Sequence, residues 1–263
     1  MQLVDQGKVR LDEKIKKYLP KYRYGDQITV HHLLTHTSGV PELPESSPYR
    51  GSFQGERMSD RESRYEQLNK QRLEFRPGSQ YKYTNIGYWL LSEIVASASG
   101  MKAEDYMMQE VIAKAGMENT YRDMGQIIPG RATGHFWSHN GLIKSYYLEK
   151  PLPGAYFTTA EDLYKLNRGV IDGTLVSAES RDKMFTKHND VYGYAFFVND
   201  SEALGKVVWH GGNSIGYRGN VLNVLSNGIS TVIFTNVYNS PFNKIINDVV
   251  NIAMGEEVTP YQA

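Results

Sequence analysis

The chain has 263 residues, with 29 lysines plus arginines, 29 aspartates plus glutamates and 40% hydrophobic residues. This length supports one sizeable domain or two small ones with a real core, and the balanced charge gives no net field to attract nucleic acid or an anionic membrane. Because the sequence contains no cysteine, disulfide scaffolds, thiolate metal sites and a cysteine nucleophile are excluded, and no apolar run approaches the roughly 18 residues of a membrane span.

The N-terminal part of the chain is predicted to be mainly helical. Residues 1–9 have the pattern of the end of a helix, residues 11–20 form a second short segment, and Thr29 is suited to cap a third short helix. Residues 41–72 are polar and poor in hydrophobic side chains, so they indicate a long loop with one surface helix at residues 61–72.

A longer helix is predicted next. Asn85 is suited to cap it, apolar side chains recur three or four residues apart over residues 86–98, and Gly100 marks its end. A further helix is predicted over residues 103–115.

The second half of the chain changes from helices to strands. Thr159 and Asp162 have the spacing of a capping box that opens a helix over residues 160–170. Short runs of β-branched or aromatic residues then predict strands over residues 192–198, 206–210, 218–225 and 229–236.

Two signals near the C-terminus predict how these strands are arranged. Asn227-Gly228 joins the last two strands and is a strong signal for a hairpin. Ser240-Pro241 opens an amphipathic helix that runs to Met254 and is suited to pack across the sheet.

The order of elements predicts an α+β fold, in which an antiparallel sheet is flanked by helices. We expect a single domain over residues 1–263. Within it, about residues 1–150 form a mainly helical region, and residues 151–263 hold a helix, the sheet and the C-terminal helix.

Tyr83, Thr84 and Asn85 at the start of the long helix are the first candidate site. A tyrosine hydroxyl beside cationic groups is able to act as the general base for a serine, and the Asn85 amide offers a hydrogen-bond donor next to it. Taken alone, the pattern also has an ordinary structural explanation, in which the ring packs and the asparagine caps the helix.

His210, Gly211 and Gly212 follow an apolar strand and are the second candidate site. Paired glycines weaken a strand and are typical of a place where another backbone or a ligand approaches closely. A substrate along this edge would receive a hydrogen bond or a positive charge from His210, and the backbone N–H of Asn213 would form half of an oxyanion hole. The alternative is a strand that ends in a glycine bulge beside a structural histidine.

Three of the stretches that match nucleophile motifs are interpreted as structural. Residues 212–216 match Gly-x-Ser-x-Gly, but that motif leads into a helix, whereas a strand is predicted to follow here. Ser79 and Lys82 match Ser-x-x-Lys within a predicted loop, where the two side chains would not share a helical face. Ser180 and Lys183 match the same pattern, but the residues between them are polar and typical of a solvated surface.

His32 and His36 are four residues apart, a spacing that is able to ligate zinc on a helix. No glutamate follows His32 and no third ligand is suggested, so we interpret the pair as structural. A zinc hydrolase that uses this pair would need a bound metal.

Together, the ordered motifs resemble the serine β-lactamase-like superfamily, in particular the branch with class C β-lactamases, D,D-peptidases and related esterases. The matching stretches are residues 1–13, 28–39, 77–88, 116–120 and 210–212. The resemblance implies the β-lactamase/transpeptidase-like fold and acyl transfer from an ester, amide or peptide to a serine and then to water. It implies a small-molecule or peptide substrate, no cofactor, no metal and no nucleic-acid partner, and it favours a location outside the cytoplasm.

The resemblance also implies roles for individual residues. Tyr83 corresponds to the family's catalytic tyrosine, and His210 takes the position of the lysine in Lys-Thr-Gly. The implied substrate-binding residues are Asn85, Gly211, Gly212 and Asn213. A histidine in place of the lysine favours an esterase or peptidase over an enzyme that binds the carboxylate of a β-lactam.

The chain departs from the family pattern at its N-terminus. In the family, the counterpart of residues 1–7 ends the helix that begins with the Ser-x-x-Lys nucleophile motif. We therefore expect the N-terminal strands and the nucleophile helix to be missing, and the chain as given to be inactive. Its complete form would be a β-lactamase-related serine hydrolase. The alternative is a non-catalytic pseudoenzyme that binds a peptide or peptidoglycan-like ligand in the same cleft.

Overall fold

The computed structural model describes residues 1–43, 61–124, 126–145, 156–214 and 216–259. The chain divides into two compact units. The first comprises Met1–Gly116 and Gly169–Phe196, and the second comprises Met117–Arg168 and Phe197–Ala263. The organisation as a single domain stays a prediction.

Helices dominate the first unit, as the sequence predicts. They are α1 (Gln2–Asp5), a 3₁₀ turn (Ile15–Lys17), α2 (Val30–Leu34), α3 (Arg61–Lys70), α4 (Asn85–Ser99) and α5 (Ala103–Tyr106), which continues as a π-helical segment (Met107–Ile112). Helix α6 (Ala160–Ile171) carries the chain from the second unit into the first, where α7 (Ala178–Met184) follows. Residues 44–60 of the predicted loop lie outside the described residues.

Local hydrogen bonds explain where the helices begin and end. The Thr29 side chain accepts the N–H of His32, and the His32 ring accepts the N–H of Thr29, so α2 opens with the predicted cap in the form of a capping box. Helix α4 ends at Gly100, which has φ of +73° and so takes the left-handed conformation that glycine tolerates best.

The core of the first unit lies along one face of α4. The predicted stripe of Ile86, Leu90 and Ile94 is buried, and it packs in one apolar cluster with α2 residues such as Leu33. Burial of each such side chain stabilises the fold by about 1.5–3 kcal/mol. The start of α4 is therefore fixed in place by packing in the core.

A four-stranded antiparallel sheet forms the main part of the second unit. Its strands, in spatial order, are β5 (Phe197–Ser201), β6 (Gly205–Ser214), β7 (Tyr217–Val224) and β8 (Ile229–Thr235). The C-terminal helix α8 (Phe242–Ala253) packs Val250 against Val207 and Val224 of this sheet. The predicted antiparallel arrangement and the packing of the last helix are confirmed.

Two small antiparallel pairs in the second unit were not predicted from the sequence. They are β1 (Tyr121–Arg122) with β4 (Tyr156–Phe157), and β2 (His135–Ser138) with β3 (Gly141–Lys144). Strands of two to four residues are too short to show alternation of apolar and polar side chains, so the pattern gave no signal.

The strand predicted over residues 192–198 is wrong over most of its length, because β5 begins only at Phe197. Ala195 has φ of +67°, and the N–H of Gly193 donates to the carbonyl of Phe196 at 2.8 Å, so this stretch turns. The aromatic residues that suggested a strand are used instead for packing, since Tyr192 and Tyr194 are buried.

The prediction that the next strand ends at His210 is also wrong. Strand β6 continues through both glycines to Ser214, because β7 pairs with it along this whole length. Gly211 lies opposite Asn220, and Gly212 lies opposite another glycine. The backbone partner outweighs the weak strand propensity of the glycines.

Candidate functional site

Tyr83 lies in the first unit, two residues before the first residue of α4, and 43% of its surface is exposed. Its ring lies over the ring of His36, with the ring centres 4.2 Å apart. His36 is buried and also contacts the rings of Tyr88 and Tyr192, at 4.9 Å and 4.8 Å between centres. One side of the Tyr83 ring is thus held by a buried aromatic cluster while part of the side chain reaches solvent.

The surroundings of Tyr83 favour the protonated phenol. Burial is the main cause that raises the pKa of Tyr83, and the carboxylate of Glu42 raises it further. A general base works best when its pKa is close to the working pH. Tyr83 would therefore need a nearby cation to act as a base, and it is already suited to donate a proton.

Glu42 caps the helix that carries Asn85. Its carboxylate accepts the Thr84 hydroxyl at 2.8 Å, the Asn85 N–H at 2.8 Å and the Asn85 side-chain amide at 3.2 Å. The N-cap residue of α4 is Thr84, and Asn85 is the first helical residue, so the prediction that Asn85 itself caps the helix is wrong. The negative charge of Glu42 takes over that role at the positive end of the helix.

Sequence reasoning missed Glu42. It lies in the polar stretch after the short helices, 43 residues before Asn85, and no motif marks it. Its position shows that the donors of Thr84 and Asn85 converge on one acceptor. A carbonyl or carboxylate group of a ligand would compete with Glu42 for these donors.

His210 lies on β6 in the second unit and is half-buried. Burial lowers the pKa of His210, and a hydrogen bond with the backbone of Gly211 only partly offsets this. Its ring stacks against Phe197, with the ring centres 5.8 Å apart. At neutral pH the side chain is therefore an uncharged hydrogen-bonding group, so of the two predicted roles the positive charge is disfavoured.

The strand that carries His210 has one open edge. Strand β5 begins opposite Trp209, so residues 210–214 of β6 pair with β7 on one side and have no strand on the other among the described residues. The edge of a strand presents backbone N–H and carbonyl groups that are able to pair with an extended ligand.

The two glycines differ in what surrounds them. A side chain at Gly211 would meet the Asn220 amide and the Gly219 carbonyl at 3.5 Å, an ordinary contact distance. A side chain at Gly212 would meet no described atom within 4 Å. Packing therefore does not explain a glycine at position 212. Close by, the Asn213 side chain accepts a hydrogen bond from Arg218 at 3.1 Å.

The candidate residues fall into two sets. Tyr83 and Asn85 belong to the first unit and are neighbours at the start of α4. The second set, on β6 in the second unit, is His210, Gly211, Gly212 and Asn213. Within each set the structure brings the predicted residues together.

The Ser-x-x-Lys pattern at Ser79 lies outside any helix. The Ser79 hydroxyl donates to the carbonyl of Arg76 at 2.7 Å, and the Lys82 ammonium donates to Glu74 at 2.6 Å. The serine and the lysine are thus engaged with different partners, as expected for a loop.

The second Ser-x-x-Lys pattern lies on α7. Ser180 is buried and its hydroxyl donates to the Asp5 carboxylate at 2.5 Å, whereas Lys183 pairs with Glu179 at 2.7 Å. Of the two residues between them, Asp182 is exposed as expected, whereas Arg181 is half-buried and donates to the carbonyl of Ile171 at 2.9 Å.

The remaining two patterns also have structural explanations. Ser214 ends β6 and pairs with Tyr217 at the start of β7, so the Gly-x-Ser-x-Gly match leads into a strand, as predicted; residue 215 lies outside the described residues. His32 belongs to the cap of α2, and His36 lies two residues beyond that helix. Among the described residues, no three histidine, aspartate or glutamate side chains are grouped to hold a metal ion.

A sequence model of the family described as Beta-lactamase matches residues 1–253. The chain belongs to the Beta-lactamase family. This family consists of serine hydrolases of the β-lactamase and penicillin-binding protein type, so the superfamily resemblance seen in the sequence is confirmed. No helix in the described ranges is long and apolar enough to cross a membrane.

Two relatives illustrate the similarity in sequence. The chain is 29% identical to the putative penicillin-binding protein PbpX of Bacillus subtilis over 238 residues, which cover 89% of this chain and 56% of PbpX. It is 34% identical over 127 residues to the D-alanyl-D-alanine-carboxypeptidase/endopeptidase AmpH of Escherichia coli, which cover 46% of this chain and 32% of AmpH. The chain spans about half the length of PbpX and of penicillin-binding protein 4* of Bacillus subtilis.

Solved structures confirm the β-lactamase/transpeptidase-like α+β fold. An octameric penicillin-binding protein homologue from Pyrococcus abyssi aligns with a TM-score of 0.82 at 25% identity, over 98% of this chain and 63% of that chain. A D-stereospecific amidohydrolase from Streptomyces shares the fold, with a TM-score of 0.79 at 18% identity, over 94% of this chain and 81% of that chain.

Proposed function

We propose that the chain is part of a β-lactamase-related serine hydrolase that transfers an acyl group from an ester, amide or peptide to a serine and then to water. The observation that carries the proposal is the placement of Tyr83. The ring of Tyr83 is partly exposed and packs against the buried ring of His36. The hydrogen-bond donors of Thr84 and Asn85 follow directly after it in the chain.

In this mechanism Tyr83 moves the proton of the serine nucleophile. The raised pKa of Tyr83 keeps its proton in place until a cation approaches. With that cation beside it, the phenol would release its proton to water, and the phenolate would accept the proton of the serine hydroxyl as the serine oxygen bonds to the acyl carbon. The same phenol then donates the proton to the leaving group. Asn85 would hold the substrate amide in place of its present acceptor, Glu42.

The open edge of β6 would bind the acyl side of the substrate. Residues 212–214 offer backbone groups for pairing, Gly212 leaves space beside them, and the N–H of Asn213 would stabilise the oxyanion. Because burial lowers the pKa of His210, the neutral imidazole is favoured, and it supports hydrogen bonding to an ester or peptide rather than pairing with a carboxylate.

We also propose that none of the three motif serines, Ser79, Ser180 and Ser214, is the nucleophile. Ser79 and Ser180 are engaged with a backbone carbonyl and with Asp5, and Ser214 ends a strand. These three serines should therefore carry no covalent adduct after treatment of the 263-residue chain with a fluorophosphonate or penicillin probe, as measured by peptide mass spectrometry. A stoichiometric adduct on any of the three would refute this, and one on Ser214 would favour the Gly-x-Ser-x-Gly motif instead.

The test of the proposed function is a longer protein. If the sequence that precedes the Met1 codon encodes Ser-x-x-Lys in frame, the extended protein should react with the probe. In it, Tyr83→Phe should lower turnover by about 10²–10⁴ while the melting temperature stays unchanged. Tyr81→Phe, at a neighbouring exposed tyrosine, is the matched control. Turnover of Tyr83→Phe within about threefold of the parent would remove Tyr83 from the mechanism.

The second candidate is a pseudoenzyme that binds a peptide or peptidoglycan-like ligand without catalysis. The engagement of Ser79 and Ser180 with other partners favours it, because binding along β6 needs no nucleophile. A stop codon in frame directly before Met1 would support this candidate over the enzyme.

A further inference from the structure

We infer that His36 is the residue that positions Tyr83, an inference that rests on the proposed role of Tyr83 in acyl transfer. The residues on both sides of Tyr83 donate their backbone N–H groups to this one histidine. Lys82 donates to the carbonyl of His36 at 2.9 Å, and Thr84 donates to its ring Nδ1 at 3.3 Å. The ring of Tyr83 lies on the same imidazole, with the ring centres 4.2 Å apart.

The combination of contacts requires a histidine. The ring has to be flat to contact the rings of Tyr83 and Tyr88, whose centres lie 4.2 Å and 4.9 Å away, and it has to carry an acceptor for the N–H of Thr84. Phenylalanine lacks the acceptor and asparagine lacks the ring. Because Nδ1 accepts a hydrogen bond, the ring proton of the neutral histidine lies on Nε2.

The backbone of His36 is held in an unusual conformation. Its φ of +56° lies in the left-handed region, which is unfavourable for a residue other than glycine and persists only where the surroundings fix it. Two further backbone bonds fix the same segment: Gly78 donates to the carbonyl of Thr37 at 2.8 Å, and Glu74 donates to that of Gly39 at 2.8 Å. Residues 74–82, which lead to Tyr83, are therefore held by backbone hydrogen bonds to residues 36–39.

The rings behind His36 complete the support. Tyr88 donates its hydroxyl to the carbonyl of Leu34 at 3.0 Å, which ties α4 to the end of α2. Tyr192 closes another side of the imidazole, with the ring centres 4.8 Å apart, and is itself buried. His36 has almost no exposed surface, so these neighbours fix its position. His36 in turn fixes the position of Tyr83. It acts on the reaction through Tyr83, without itself touching the substrate.

The test uses the chain itself, with ¹³C-labelled tyrosine rings and ¹⁵N-labelled backbone, and assigns the resonances of Tyr83 by comparison with Tyr83→Phe. His36→Asn keeps an acceptor and tolerates the left-handed backbone but removes the ring. His36→Phe keeps a ring and removes the acceptor. The matched control is His32→Asn, which alters the cap of α2 one turn earlier.

Each variant should move a different signal. In His36→Asn the Tyr83 ring resonances should shift towards those of free tyrosine, while exchange of the Thr84 amide proton stays close to that of the parent. In His36→Phe the Thr84 amide should exchange on the order of tenfold faster, because its hydrogen bond is lost. The resonances of Tyr65, which packs against Trp89 elsewhere in the unit, should not change in any folded variant. His32→Asn should leave Tyr83 unchanged even if the melting temperature falls.

Unchanged Tyr83 ring resonances in folded His36→Asn would overturn the inference. So would a shift of equal size in His32→Asn, since that would be a general effect of weakening α2. If His36→Phe does not fold, His36→Asn with its control is sufficient to decide. These signals need no turnover, whereas retained turnover of the extended Tyr83→Phe protein would overturn the proposed function and leave the structural role of His36 as measured.

Discussion

The replacement Gly212→Val tests whether the glycine at position 212 of β6 is needed for substrate binding or for folding. A side chain at position 212 meets no described atom within 4 Å, and Gly212 is absent from the glycines with positive φ. Valine is therefore able to adopt the observed strand conformation without strain. The matched control is Gly228→Val in the turn between β7 and β8, where the space is equally open but φ is +74°.

The expected change in stability of each variant follows from its backbone conformation. Glycine in a strand costs about 0.5–1 kcal/mol relative to a residue with a side chain, and β-branched residues favour strands, so Gly212→Val should stabilise the chain by about 0.5–1 kcal/mol. Gly228→Val forces a branched residue into the left-handed region and should destabilise it by about 1–2 kcal/mol. In the extended enzyme, Gly212→Val should lower kcat/KM by at least about tenfold, because the valine occupies the proposed acyl position beside the strand edge.

Urea unfolding followed by circular dichroism measures the stability of both variants. Hydrolysis of a p-nitrophenyl ester by the extended protein measures kcat/KM on the same preparation. A fully active Gly212→Val protein would remove the strand edge from the proposed site. A Gly212→Val protein that is as destabilised as Gly228→Val would show instead that position 212 needs glycine for the fold.

Two further predictions concern stability. Asp162→Ala should cost about 1–3 kcal/mol in urea unfolding, because the buried carboxylate accepts the hydroxyl of the buried Thr120 at 3.0 Å as well as the Asn119 N–H at 2.6 Å, and its loss removes this shared acceptor. Glu161→Gln, at an exposed carboxylate next to it, should stay within about 0.5 kcal/mol of the parent, and equal effects would refute the argument. Burial is the main cause that lowers the pKa of His31 and of His32 in the folded chain. As the pH falls through the ordinary histidine pKa of about 6.5, the unfolded chain therefore binds more protons than the folded chain, and the free energy of unfolding should fall between pH 7 and pH 5. A free energy of unfolding that does not change over this range would contradict the argument.

The sequence by itself determined the elements whose signals are local. The cap of α2 at Thr29 and the end of α4 at Gly100 each join residues a few positions apart, and the structure confirms both. Of the predicted capping box of α6, the structure shows the bond from the Asp162 N–H to the Thr159 hydroxyl, whereas the Asp162 carboxylate binds Asn119 and Thr120. The order of the motifs along the chain was also sufficient to predict the family, which the comparison confirms.

Other features were decided only by the tertiary structure. Glu42 caps α4 from 43 residues away, and His36 receives the N–H of Thr84 from 48 residues away. Strand β6 runs past its glycines to Ser214 because β7 pairs with it there. Hydrophobic period and turn residues record the preferences of neighbouring positions. They carry no information about which distant carboxylate, imidazole or strand supplies a missing hydrogen bond, because that choice is made when the chain packs.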